Sequence, residues 1–362
     1  AEIFRYSYRY ARKKTNRAWN SFKLGTLRLK FMHEVVIVGC GNIAGGFDEN
    51  RHNTDTPFTH AGAYHRHGGF AISACVDPDD KRRNAFMRRW KVPRGFASMD
   101  EVVASGMQAS VVSICSPTHS HFNNVRAALR LSPRLLFCEK PITPTLNESR
   151  SLVNDCAAQG VRLVVNYTRR WDPSVLRLSE ELRVGQWGAV RSVSCIYNKG
   201  INNNGSHMID LLRLLLGPLR VVSVGHPIND FFADDLTIPA LLSTADNIPV
   251  TLNIGNAGDY SIFELELSTE KALIRMEQGG LAWRIRQPEA SPNFSGYRSL
   301  LVDSRQSGTV GVAMLAAVGE IDRLLCQGGS ESSTGVNALL TQEICEVLSD
   351  PKLSVSISEG AH

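Results

Sequence analysis

From about residue 34 to residue 166, short apolar runs at 35–38, 70–76, 110–115, 135–138 and 161–165 alternate with stretches of helical periodicity near 59–67, 79–90, 121–131 and 145–159. Strands that are apolar along their whole length must be covered on both faces, and strands separated by helices are joined by crossovers. The alternation therefore predicts a parallel sheet of β-α-β units. It opens on Gly39-Cys40-Gly41-Asn42-Ile43-Ala44, directly after the first strand. A first glycine makes the turn, a second lets backbone approach a pyrophosphate, and a small third residue keeps helix against strand; the helix start at Asn42 and Ile43 faces the phosphates. The first crossover then carries a polar stretch, 47–59, whose length reads as an inserted loop beside the cofactor entrance.

At 362 residues the chain exceeds a comfortable single core, so two domains are expected. The division falls into residues 32–166, a nucleotide-binding domain, and residues 167–362. In the second part 189–197 and 219–286 read as strands, with apolar alternation at 260–267, while 206–216, 310–325 and 333–348 read as helices. Alternation suits an antiparallel sheet covered on one face, hence an α+β domain.

The formal charge of +5 is concentrated at one end: residues 1–31 hold nine Lys/Arg against one acid, Glu2, leaving a slightly acidic body. Nothing in that balance calls for nucleic acid. The basic head reads as a partner- or membrane-binding arm, as a transit peptide, or as an extension upstream of a start at Met32, the last being favoured. No apolar stretch is long enough to span a bilayer. Eight cysteines without CxxC spacing predict a reduced, cytoplasmic setting and no metal centre.

Several residues carry candidate chemistry. Asp77 ends the second strand, where a carboxylate accepts from ribose hydroxyls and repels a 2′-phosphate, favouring NAD over NADP; Lys81, Arg82 and Arg83 read first as a solvated helix face and only secondarily as opposing that preference. Ser116-Pro117-Thr118 leaves a later strand and would lie under the nicotinamide ribose, with His121 at the following helix start. Glu139-Lys140-Pro141 puts a lysine at the carboxyl end of the 135–138 strand, where such a fold keeps its ligand crevice.

With Asn166-Tyr167-x-Arg169-Arg170-Trp171 and Gly205-Ser206-His207-x-x-Asp210, these motifs resemble, in order and spacing, the glucose-fructose oxidoreductase / inositol dehydrogenase / rhizopine-catabolism (Gfo/Idh/MocA) family, from about residue 34 almost to the C-terminus. The resemblance implies a Rossmann domain plus a C-terminal domain with a large open, mostly antiparallel sheet, which commonly makes dimers or tetramers. It implies hydride transfer between NAD(P) and a hydroxyl-bearing carbon of a sugar, cyclitol or nucleotide-linked sugar. Lys140 matches the lysine that touches nicotinamide ribose and substrate hydroxyl, and Glu139 stands beside it. His207 matches the proposed acid/base, as befits an imidazole titrating nearest neutral pH. Tyr167, Arg169, Arg170 and Trp171, at the domain junction, are candidates for substrate contact.

One position departs from the family pattern. Asn203 stands where an aspartate often precedes the histidine, and an amide orients by hydrogen bonding without carrying charge. The asparagine-rich loop resembles a branch associated with surface-polysaccharide sugars. Two other readings stay open: a family member recycling a tightly held cofactor, as in sugar–sugar oxidoreductases or NAD-assisted glycosidases, and a non-catalytic nucleotide-binding scaffold.

Overall fold

The computed structural model describes residues 32–51 and 55–350. The basic head 1–31 and part of the 47–59 loop thus lie outside the described residues. Six parallel strands, β1 (His33–Val38), β2 (Phe70–Val76), β3 (Gly95–Phe96), β4 (Val111–Ile114), β5 (Leu135–Cys138) and β6 (Arg162–Val165), form a sheet ordered β3-β2-β1-β4-β5-β6. Helices α1 (His60–His67), α2 (Asp80–Trp90), α3 (Met99–Ala104), α4 (His121–Leu129) and α5 (Leu146–Ala158) join them. Val35 and Ile37 pack into one hydrophobic layer with Tyr64 and Phe137, while Val36 and Val38 pack into the other with Ile114 and Leu136. Successive side chains on a strand point to opposite faces, so a sheet covered on both sides needs apolar residues at every position. Burying each such side chain contributes roughly 1.5–3 kcal/mol. Strand β3 and helix α3 are too short to leave a periodic signal, and the sequence reading passed over both.

The first crossover is a helix with a loop pushed out of it. The glycine turn closes one helical turn, Gly45 N–H donating to the Gly41 carbonyl, and the chain then leaves. It rejoins where His60 N–H donates to the Ile43 carbonyl at 3.2 Å and Ala61 N–H to Ala44 at 2.9 Å, so α1 stacks on the glycine turn. Buried Asp48 pins the excursion by accepting from Phe58 N–H, Thr59 N–H and the Thr59 hydroxyl.

After β6 the chain builds an eight-stranded sheet from β7 (Val190–Tyr197), β8 (Leu219–Val224), β11 (Ala240–Thr244), β12 (Pro249–Ile254), β13 (Phe263–Thr269), β14 (Leu273–Glu277), β15 (Ala282–Ala290) and β16 (Arg298–Ser307), ordered β16-β15-β14-β13-β7-β12-β11-β8. Its pairings are antiparallel except β7 with β12. A two-stranded ribbon, β9 (Ile228–Phe232) with β10 (Asp235–Thr237), lies apart. Helices α6 (Pro173–Arg183) and α7 (Ser206–Leu216) cover one face, joining Val175, Met208 and Leu212 to Val193, Cys195 and Leu265. The resulting architecture is a Rossmann domain followed by an open, mostly antiparallel sheet.

The boundary near residue 166 is crossed twice more. Helix α8 (Ala313–Gln327) returns to the nucleotide domain, where Met314, Ala317 and Ile321 share a layer with Val35, Ile37 and Phe137. Helix α9 (Gly335–Leu348) reaches α5 through Ser149, whose hydroxyl donates to Gln342 Oε1 at 2.7 Å. Among the described residues no helix is long and apolar enough to cross a membrane.

Candidate active site

Positive φ is needed at Gly39 (+89°), and a Cβ there would fall 2.6 Å from the Ser116 backbone, so the glycine turn and the β4 exit are in direct contact. Gly41 is the opposite case: no atom lies within 4 Å of where its Cβ would stand. Bare backbone is therefore presented to open space at the carboxyl ends of β1 and β4, and Asn42 beside it is exposed while Ile43 is half-buried.

Asp77 also has a structural job beside the ribose contact expected of it. It is buried, with one carboxylate oxygen accepting from Cys40 N–H at 2.9 Å and the other from Asp79 N–H at 2.9 Å. The carboxylate thus ties the glycine turn to the end of β2, and the more exposed group at this position is Arg82, 3.7 Å away. His121 is also structural. It is buried, its Nε2 lies 2.7 Å from the Ser116 carbonyl and its Nδ1 3.1 Å from those of Pro141 and Ile142, which joins the β4 exit to the β5 exit. Ser116 receives further hydrogen bonds on its hydroxyl from Ser120 and Asn124, while Pro117 and Thr118 lead into a 3₁₀ turn.

At the end of β5 the Lys140–Pro141 peptide is cis. Glu139 turns inward: its Oε1 accepts from Asn166 Nδ2 at 2.6 Å and lies 2.8 Å from His60 Nε2. Burial opposes the charge on Glu139, but the His60 and Asn166 hydrogen bonds and the Lys140 ammonium together hold its carboxyl below the usual range. His60, the first residue of α1, is fully buried. No motif signals its role, because its partner lies 79 residues further on.

Lys140 Nζ donates to the Asn203 backbone carbonyl at 3.1 Å and to Asn203 Oδ1 at 3.0 Å. Burial pushes the ammonium down to about 8, against the opposing pull of Glu139 and Asp235. Asn203 sits in a π-helical segment, Gly200–Gly205, that runs into α7; such segments are frequent at functional sites. Its N–H donates to Asp235 Oδ2 at 2.9 Å, and Asp235 also accepts from Asn202. A carboxylate thus stands one residue behind the amide, a group sequence spacing gave no means to find.

His207, on the first turn of α7, is half-buried and meets Tyr167 edge-on with ring centroids 5.5 Å apart. Among the described residues neither ring nitrogen has a hydrogen-bond partner. Burial first, then the Lys140 and Arg169 cations, pushes its pKa well below the ordinary value, leaving a neutral imidazole able to accept a proton. Arg169 lies 3.9 Å over the Phe263 ring and donates to the Gly279 carbonyl. Its Nε has no hydrogen-bond partner, and burial lowers the guanidinium to about 10.

Arg170 and Trp171 are spent on packing. Arg170 Nε contacts both Asp210 oxygens at 2.9 and 2.8 Å and its Nη1 donates to the Ser332 carbonyl, all buried. Trp171 packs edge-on against Phe137 at 5.9 Å within the Rossmann core. Neither side chain is presented to the crevice, whereas Lys140, Asn203, His207, Tyr167 and Arg169 are brought together.

A glycine turn at the head of a β-α-β sheet thus stands on the same molecule as a desolvated lysine and a neutral histidine, the second supplied by the segment entering α7. The bare backbone at Gly41 and the crevice end of β5 fit a dinucleotide. Residues 33–167 match the model of the oxidoreductase family with an NAD-binding Rossmann fold, Gfo/Idh/MocA, to which this segment is similar. The chain is 26% identical over 202 residues to D-apiose dehydrogenase of Paraburkholderia graminis (51% of this chain, 53% of the relative). It is 30% identical over 215 residues to inositol 2-dehydrogenase 4 of Saccharopolyspora erythraea (54% and 62%). It therefore spans between half and two thirds of the length of these relatives. The fold is also that of the WlbA dehydrogenase of Bordetella pertussis, solved with NADH and UDP-GlcNAcA (TM-score 0.70, 15% identity, 90% of this chain and 100% of that one).

Proposed function

We propose that the protein is an NAD(P)-dependent dehydrogenase or reductase acting on a hydroxyl-bearing carbon of a sugar, cyclitol or nucleotide-linked sugar. The observation that carries this reading is the pairing of Lys140, an ammonium pushed down to about 8, with His207, a neutral imidazole, at the mouth of a glycine cradle.

The nicotinamide would supply the hydride acceptor or donor. His207 accepts the substrate hydroxyl proton at a ring nitrogen, since its depressed pKa keeps it neutral at physiological pH. The Lys140 ammonium donates to the oxygen as negative charge develops there, in a partly desolvated setting where such a donor has most effect. Glu139, clamped by His60 and Asn166, fixes the backbone that carries Lys140. Arg169, whose Nε is free of hydrogen bonds, and Tyr167 orient the substrate. Arg82, which lines the crevice with Gly41 and Asn42, bears on the choice between NAD and NADP. An oligomer formed through the open sheet and a role in surface-polysaccharide sugar metabolism belong to the same proposal; the open sheet supports the first, and the asparagine-rich segment 202–204 the second.

The test is a screen of pentoses, hexoses, cyclitols and UDP-sugars with both nicotinamides, followed by nicotinamide absorbance. With the substrate that responds, Lys140→Ala and His207→Ala are each expected to lower kcat by about 10²–10⁴-fold while NADH still binds. Turnover by Lys140→Ala at the wild-type rate would overturn the assignment.

A further inference from the structure

At the end of the Rossmann sheet opposite the nucleotide cradle, three metal-ligating side chains converge from two separated segments, and a fourth residue, His67, borders them. His33 starts β1, His67 ends α1, and Asp322 and Cys326 lie one turn apart on α8. His33 Nε2 stands 3.5 Å from Asp322 Oδ1 and 3.5 Å from Cys326 Sγ, and Cys326 Sγ lies 3.9 Å from Asp322 Oδ1. All three atoms lie within 4.8 Å of one another. Zinc–ligand bonds of about 2.0–2.3 Å at the tetrahedral angle give ligand-to-ligand edges of about 3.3–3.6 Å, close to this triangle.

A second observation points the same way. His67 Nδ1 is buried and has no hydrogen-bond partner. It borders the same space: a Cβ on Gly69 would fall 2.9 Å from His67 Nδ1 and 3.2 Å from Asp322 Oδ1. Glycine at 69 leaves that space open between a fourth donor and the triangle. Ordinary hydrogen bonding satisfies the group poorly, because one imidazole nitrogen faces a thiol and a carboxylate at once and the thiol–carboxylate separation is long.

We propose that His33, Asp322 and Cys326 bind one zinc-class divalent cation that fastens α8 to β1, with the unpartnered His67 bordering the site on α1. Imidazole, thiolate and carboxylate together suit a borderline-soft ion, and thiolate plus carboxylate balance its two charges. Arg134, near enough to act on His33, has its guanidinium engaged by the Leu325 carbonyl. The site lies at the amino ends of the strands, away from the carboxyl-end crevice, so its role is structural. It joins α8 to the first strand of the Rossmann sheet after the whole C-terminal sheet has been made. Closely spaced cysteines are absent from the sequence, and these ligands are assembled by the fold instead.

The experiment uses the full chain, stripped with chelator and reloaded with zinc or cobalt(II), beside Cys326→Ala and Asp322→Asn. NADH binding serves as the independent check that each variant is folded. Wild type is expected to take up about one equivalent, to gain thermal stability with zinc, and with cobalt to show a near-ultraviolet thiolate band and intense visible bands of tetrahedral geometry. Cys326→Ala should lose the thiolate band, and both variants should bind zinc at least about tenfold more weakly. Uptake well below one equivalent in wild type would overturn the proposal. So would a thiolate band that survives in Cys326→Ala, since the ion would then sit on one of the other cysteines.

Discussion

Lys140 and Asn203 give the site its character at the scale of single residues. An aspartate facing the lysine would hold it charged; an amide oxygen accepts the same hydrogen bond without the charge, and burial then lowers the ammonium to about 8. Below that pH Lys140 is an ammonium donor, and above it a free amine. Asn203→Asp is expected to raise the lysine by about 1–2 units. Reactivity of Lys140 toward an acylating reagent, read by mass spectrometry, should rise through pH about 8 in wild type and at correspondingly more alkaline pH in the variant. The same onset in both proteins would mean that the Asn203 contact does not set the lysine's charge. Arg170 shows the reverse. Its buried pairing with Asp210 predicts that Arg170→Ala loses about 3–5 kcal/mol of stability by leaving a buried carboxylate unpaired. Denaturant unfolding would show this, and a loss confined to substrate affinity at unchanged stability would contradict it.

Among the elements, the first crossover departs furthest from a plain β-α-β unit. The excursion between Ala44 and His60 leaves the helical hydrogen bonds continuous across its base, so insertion there leaves the sheet intact. Asp48 is its fastening, and Arg89 on α2 donates to the Asp48 and Glu49 carbonyls from outside. Asp48→Ala would strand the amides of Phe58 and Thr59, at about 1–3 kcal/mol, charged against the loop and not the fold. Limited proteolysis should therefore cut faster near residues 49–58 in the variant, with the thermal midpoint little changed. Equal cutting rates would show that Asp48 does not hold the loop.

Much of this was legible in the sequence, for identifiable reasons. The strands of the parallel sheet are apolar at every position because both faces are covered, so their runs stand out; β3, two residues long, cannot. Gly39 announces itself because its positive φ and close approach to the Ser116 backbone admit no side chain, and Gly41 by its spacing from it. Position made Asp77, His121, Arg170 and Trp171 candidates for either the crevice or structural packing, and their burial with backbone or core partners is decided by tertiary packing that spacing does not encode. His60, Asp235 and the His33–Cys326 cluster have partners tens or hundreds of residues away, beyond any motif.

At the scale of the whole molecule, the two sheets are not separable modules. The chain leaves the nucleotide domain after β6, builds the open sheet, then returns α8 to the Rossmann core and α9 to α5. Lys140 comes from the first sheet, Asn203 and His207 from the segment entering α7, so the site exists only while both halves are joined. That joint site is meaningful only if the cradle holds a nicotinamide dinucleotide, and Gly41 offers the most direct test. A side chain at Gly41 meets no protein atom, so Gly41→Val should fold as wild type does while filling the space the pyrophosphate needs. Fluorescence titration with NADH and NADPH is expected to show binding of at least one by wild type, and binding at least about tenfold weaker by Gly41→Val at an unchanged thermal midpoint. Failure of wild type to bind either nucleotide, or equal affinity in the two proteins, would contradict the account.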